Sequence, residues 1–310
     1  MEDYSRIYDM PTVPENIIES INNGTFAIFI GAGVSSLAGC IGWSDLAMEL
    51  VDQCYEITTE KMGQNSLNFR QKERLRESKD YKKTITIVKR IFEQNGNGKQ
   101  FDEVVCNLLN KSNRADYPDI YSELRGLRGL FLTTNVDNHF DKLFSTNVYL
   151  DLDFDNANPD RDKLYHVHGS INKPTQMVLT LDEYFRRYSN DKLVSFLDIV
   201  FTRYSILFLG YGLSEFEVLD YLFTRFTKGK GQQHFMLRDY YEGEESYLKL
   251  DQYYYNTMNI TVVAYKADDK GHRRLGNIIR DWVRAIKLRS DDLPRRYEEI
   301  DHLVRKVEND

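Results

Sequence analysis

Cysteine is scarce in this sequence: Cys40, Cys54 and Cys106 are the three thiols in 310 residues, and no two form a C-x-x-C pair. That pattern argues against a disulfide framework and against a cysteine-only zinc site, and it fits a reducing, cytoplasmic setting. No apolar run reaches the ~18 residues of a membrane-spanning helix. The N-terminus, Met1-Glu2-Asp3-Tyr4, is acidic and lacks the apolar stretch of a signal peptide. Net positive charge is missing as well. The balance is 41 Lys and Arg against 48 Asp and Glu, a net charge of −7, so there is no global electrostatic case for direct nucleic-acid binding. Without a P-loop, the chain is not expected to hydrolyse ATP itself.

What is present centres on Phe26-Ala-Ile-Phe-Ile-Gly31-Ala-Gly33-Val-Ser35-Ser36. A short apolar, β-branched run that stops at two glycines reads as a buried parallel strand. It empties into a turn able to approach a phosphate, with the glycines expected to supply positive φ and the absence of a Cβ. The third glycine of the dehydrogenase fingerprint is replaced by Ser36. Asp52 lies at the distance of a ribose carboxylate, and an ordinary solvated helix residue is the simpler reading. Three further strand-like runs follow the same plan. Gly129–Thr134 ends at Asn135-Val136-Asp137, Lys163–Val167 at His168-Gly169, and Tyr204–Leu209 at Gly210-Tyr211-Gly212; Gln233–Leu237 and Ile260–Ala264 read as two more. Helical stripes lie between them, with Ser214-Glu-Phe-Glu217 as a capping box.

The fold class this implies is α/β: a Rossmann-like parallel sheet with helices on both faces and an inserted helical module. The expected division is a single domain over 1–310, with its core at 20–50 and 125–288. A helical insertion is expected over 51–124 and a charged C-terminal tail over 289–310. Residues 70–90 hold nine Lys and Arg against three Asp and Glu, which reads first as a solvated helix face. Asp151–Asp162 imitates a calcium loop, but Asn156 occupies the glycine position and Asp162 the glutamate position, so an acidic surface loop is expected.

In an open parallel sheet, ligands sit outside the carboxyl ends of the strands. Four polar or glycine-rich tips at one edge therefore make a candidate crevice. The series G-A-G-x-S, T-T-N-x-D, H-G and G-Y-G-x-S, in this order over residues 20–285, resembles the sirtuin-like family of NAD-consuming domains. Carried over position by position, the resemblance implies that Gly31, Ala32, Gly33 and Ser35 bind the pyrophosphate. It places Asn135 and Asp137 beside the nicotinamide ribose, with Thr134 before them, makes His168 the catalytic histidine, and sets Gly210, Tyr211 and Gly212 near the adenosine half. No four-cysteine ribbon follows His168, and Cys40-Ile-Gly-Trp43-Ser-Asp45 replaces the segment that deacylases carry. Trp43 there suits a lid and Asp45 a polar contact. The zinc-less pattern, with Leu181-Asp-Glu-Tyr184 after the histidine, resembles prokaryotic sirtuin-like domains of antiphage defence.

The implied activity is hydrolysis of NAD, as substrate, to ADP-ribose and nicotinamide, with no metal. The leaving pyridinium is already cationic, so the protein has to orient the ribose, favour an oxocarbenium-like charge and place a water. Asn135 can hold a water or hydroxyl through its carbonyl oxygen, a neutral His168 can take a proton, and Asp137 suits an orienting role. Two other readings stay open: a zinc-less deacylase or ADP-ribosyl transferase, and a non-catalytic NAD- or ADP-ribose-binding assembly module. Asn135 also suits a cap for a helix carrying Phe140 and Leu143, His168 an ordinary strand end, and His166 a packed neighbour two residues away. An uncontrolled NAD hydrolase would kill its host, so gating by homo-oligomerisation or by a partner ATPase or nuclease is expected.

Overall fold

The computed structural model describes residues 10–60, 67–110, 120–148, 154, 159–211, 232–267 and 274–289. Gly212, the Ser214–Glu217 capping box, most of the 151–162 loop and the tail beyond 289 lie outside these residues.

In chain order the elements are α1 (Glu15–Asn22), β1 (Phe26–Ile30), α2 (Ala32–Leu37), α3 (Trp43–Glu60), α4 (Phe69–Arg76), α5 (Tyr81–Gln94), α6 (Gly98–Asn110) and α7 (Ile120–Arg125). They continue with β2 (Leu130–Thr133), β3 (Thr146–Val148), β4 (Lys163–His166), α8 (Leu181–Tyr188), α9 (Asp191–Arg203), β5 (Ser205–Leu209), β6 (His234–Tyr240), α10 (Glu245–Asn256), β7 (Ile260–Lys266) and α11 (274–289). Among the described residues, seven strands form one parallel sheet in the order β3-β4-β2-β1-β5-β6-β7. The strand order reverses at β1, which has β2 on one side and β5 on the other. A ligand crevice is expected above that point, at the carboxyl ends.

β1 shows why the sheet is covered on both faces. Its five side chains are all buried, and alternate ones enter different cores. Phe26, Ile28 and Ile30 pack with Leu124 of α7 and with Ile278, Ile279 and Trp282 of α11. Ala27 and Phe29 pack with Phe196, Val200 and Phe201 of α9. A third core, with Leu50, Ile85, Val88, Phe92, Phe101 and Val105, holds the helices between β1 and β2 together. Leu179, from the segment after β4, joins it.

Two details bear on the expected boundaries. The helix α3 runs through position 50 without a break, so the expected boundary between core and insertion falls inside a helix. Asp52 pairs with Lys72 at 2.9 Å and with Arg76, holding α3 to α4. The bond from α5 to the sheet side is more specific. Lys89 meets Glu183 at 2.6 Å, and Glu183 also accepts the Leu179 and Thr180 N–H groups at the start of α8.

Candidate active site

The turn after β1 differs from its expected geometry. Gly31 is extended (φ −105°, ψ −179°) and Gly33 is already inside α2, so neither supplies positive φ. What excludes a side chain is the neighbouring turn after β5. A Cβ at Gly33 would stand 2.9 Å from the Gly210 Cα and carbonyl oxygen. A Cβ at Gly210, where φ is +67°, would stand 2.5 Å from the Val34 nitrogen. The two backbones touch, and the Gly33 N–H donates to the Gly210 carbonyl at 2.9 Å. Both glycines are thus required by each other, before any ligand is considered.

Ser35, one turn into α2, is the hub of a buried polar network. Its hydroxyl lies 2.6 Å from Asp137 Oδ2, 2.6 Å from Asn135 Nδ2 and 2.8 Å from Tyr121 Oη. An ionised carboxylate accepts only, so Ser35 donates its single proton to Asp137 and accepts from the other two. The second Asn135 amide hydrogen goes to the Gly31 carbonyl at 3.0 Å. With both hydrogens engaged, the acceptor Oδ1 is what Asn135 can offer a ligand. Asn135 caps no helix: the expected helix over Phe140 and Leu143 is a 3-10 turn, Asp141–Leu143. Asp137 Oδ1 accepts the His139 N–H at 3.2 Å. These groups line a cavity of about 30 Å³, with Ala32, Ser35, Cys40, Trp43, Asn135 and Asp137 in its wall.

The β5 tip leans in from the other side. The Tyr211 ring lies edge-on to Phe29 and Phe208, at 5.6 and 5.7 Å, and its hydroxyl is 3.2 Å from Thr134 Oγ1. Beneath the β2 tip, His166 Nε2 is 2.9 Å from Asp141 Oδ1 and its Nδ1 is 3.3 Å from the Asn135 carbonyl oxygen.

His168 is placed differently. It is not in the wall of the cavity that holds Asn135. Its Nε2 is 2.8 Å from the Tyr188 hydroxyl, and its ring is edge-on to Tyr184 at 4.8 Å and to Tyr188 at 5.8 Å. Burial, with a smaller contribution from the Lys82 charge, pushes the imidazole down to about 3, so the ring is neutral. The Thr134 main chain favours the proton weakly, yet Nδ1 is buried with no partner at hydrogen-bond geometry. Arg187 fixes the main chain leading to His168, donating to the Val167 carbonyl at 2.6 Å and the His166 carbonyl at 3.1 Å. The rings of His166 and His168 have different partners.

The structure thus brings together Gly31, Ala32, Gly33, Ser35, Trp43, Thr134, Asn135, Asp137, Gly210 and Tyr211. It leaves Asp45 exposed on the first turn of α3, and His168 in its own aromatic pocket. Tyr121 and Tyr188 escaped the sequence reading. Tyr121 carries no motif, whereas Tyr188 follows Tyr184 by four residues on α8 and so shares its face.

Comparison with known proteins adds to this geometry. Residues 129–263 match the family described as SIR2-like domain. A relative named NAD(+) hydrolase ThsA, from Cytobacillus dafuensis, is 25% identical over 240 residues, covering 75% of this chain and 44% of the relative. A relative named Defense-associated sirtuin 2, from Bacillus subtilis, is 27% identical over 218 residues, covering 66% of this chain and 19% of the relative. The chain therefore spans less than half the length of the curated relatives it matches.

Proposed function

We propose, from the match of residues 129–263 to the SIR2-like domain family, that the chain is an NAD hydrolase. Water replaces nicotinamide at the ribose C1′, giving ADP-ribose, nicotinamide and a proton. The observation that carries this reading is the Asn135–Ser35–Asp137 network, which ties the β1 turn to the β2 tip at the strand-order reversal. Ser35, itself held by Asp137, and the Gly31 carbonyl fix the amide plane of Asn135. Its Oδ1 then accepts from a water or a ribose hydroxyl without taking a proton itself.

The cavity of about 30 Å³ has room for a water and none for a dinucleotide. Productive binding therefore needs the loop between α2 and α3, with Trp43, to swing away. His168, neutral and outside the cavity, acts as base in this reading after the same opening brings the ribose to it. A closed resting form of this kind suits an effector of antiphage defence that acts inside the cell. Its trigger would be self-assembly or a partner ATPase or nuclease.

The test is incubation with NAD followed by chromatography of the products, with Asn135→Ala as the control. Free nicotinamide and ADP-ribose in equal amounts support hydrolysis. An acylated or ADP-ribosylated product would move the reading to group transfer. Tight NAD binding without product, even with assembly partners added, would reduce the domain to a binding module. The exclusion of His168 from the cavity is the observation that favours this last alternative.

A further inference from the structure

Two side chains, Cys40 and His139, have no part in the chemistry proposed above and stand beside Asp137 of the Asn135 network. Cys40 comes from the loop between α2 and α3, Asp137 and His139 from the segment after β2. One ligand atom from each, Sγ, a carboxylate oxygen and an imidazole nitrogen, all lie within 4.8 Å of one another. Cys40 is a free thiol, 7% exposed, and Asp137 is 6% exposed. His139 Nε2 is buried and has no hydrogen-bond partner. A buried imidazole nitrogen without a partner is costly, and its neighbours here are a thiol and a carboxylate.

We infer that Cys40, Asp137 and His139 form a site for one divalent cation of the zinc class, with a fourth position open to the cavity.

The donor set decides the class. A thiolate and an imidazole beside one carboxylate select zinc and its neighbours in softness over magnesium or calcium, which take oxygen. Metal–ligand distances of about 2.0–2.3 Å put tetrahedral donors roughly 3.3–3.6 Å apart, so the side chains have to close by up to about 1.5 Å. Asp137 keeps a lone pair on each oxygen after accepting from Ser35 and from the His139 N–H. With no cation, burial and the Asp137 charge push the Cys40 thiol up and keep it protonated. Binding breaks the S–H bond, forms the S–metal bond and releases the proton to solvent. Three protein ligands and one exchangeable position complete the four-coordinate geometry that zinc favours.

The position of the site gives it a consequence. Cys40 and Asp137 both line the cavity, so a cation would pin the loop that leads into Trp43 to the β2 tip. Where the proposed hydrolysis requires that loop to open, the bound cation acts as a latch against it. The binding inference itself does not depend on the hydrolase reading.

The experiment is titration of the purified full chain with cobalt(II), followed by displacement with zinc. One cobalt per chain is expected, with a thiolate-to-cobalt charge-transfer band in the near ultraviolet. Cys40→Ser should abolish that band, and His139→Ala should weaken cobalt affinity at least tenfold. Cys106→Ser, whose thiol lies on α6, should leave both unchanged. Thermal melting of the metal-free variants establishes that they fold, and His139→Ala, at a partly exposed position, tests the site should Cys40→Ser not fold. Absence of stoichiometric uptake, or an undiminished band in Cys40→Ser, would overturn the site. If uptake holds but zinc leaves NAD turnover unchanged, the latch fails and the site stands. If no NAD turnover exists at all, the cobalt spectrum still reports on the site.

Discussion

The tips of β2 and β4 are neighbours on one sheet edge, since the two strands pair directly, and they are made of opposite materials. At the β2 tip, Asn135 and Asp137 sit in a mesh of hydroxyl, amide and carboxylate groups around a cavity. At the β4 tip, His168 is enclosed by two tyrosine rings and stripped of its charge. The sheet decides which residues reach the edge. The helices packed above decide what those residues face: α2 supplies Ser35 to one tip, and α8 supplies Tyr184 and Tyr188 to the other. Reaching the edge is therefore not the same as reaching the ligand.

The largest effect that can break this contrast is on turnover. Asn135→Ala should lower nicotinamide release from NAD by about 10³-fold, in the range seen when one positioned polar group is removed. His168→Ala should match it within about tenfold if the β4 tip closes on the ribose during catalysis. Equal melting temperatures for both variants and the parent chain are the control. Full activity in His168→Ala would leave the β4 tip a structural element and the β2 tip the whole site.

A smaller, purely structural effect is expected from Gly169→Ala. Its φ is +72°, and a Cβ there would come within 2.0 Å of the Gln176 carbonyl oxygen. Strain and displacement together should cost about 3 kcal/mol, measured by denaturant unfolding. Gly42→Ala, with nothing within 4 Å of the added carbon, should stay within about 0.5 kcal/mol of the parent chain.

Acid should act on the histidine side next. His168 and His234 are both buried, and burial holds each down to about 3, against 6.5 for the free side chain. Below pH 6.5 the unfolded chain therefore takes up protons that the folded chain refuses. Stability is complete above pH 6.5 and falls as the pH drops toward 3, by roughly 1.4 kcal/mol per pH unit for each histidine. Urea unfolding at several pH values checks this, and His234→Gln should reduce the slope by about half. The smallest effect belongs to Tyr188→Phe, which removes one bond to His168 Nε2 and should cost about 1 kcal/mol.

Much of the fold was legible because parallel strands buried on both faces read as short apolar runs. β1, β2, β4, β5, β6 and β7 all announce themselves that way. β3 does not: Thr146-Asn147-Val148 is three residues long at an edge, with one side chain buried. At the site, motif order placed Ser35, Asn135 and Asp137 together, since strand ends are fixed by the sheet. The same logic misplaced His168 relative to the cavity, because its ring follows Tyr188 on α8, 20 residues on. The reason given for Gly33 was also incomplete, since a backbone contact with a residue far along the chain leaves no mark in local sequence. Cys40 and His139 were missed alike, being 99 positions apart.

The contact between Gly33 and Gly210 has one more consequence. Two crossings of the chain, far apart in sequence, share a seam with no room for a methyl group on either side. Neither turn can drift alone: a carbon added to one must be answered by a rerouted strand end at the other. The seam acts as a gauge that holds the spacing of β1 and β5, and with it the mouth of the crevice, constant while the surrounding loops are remodelled.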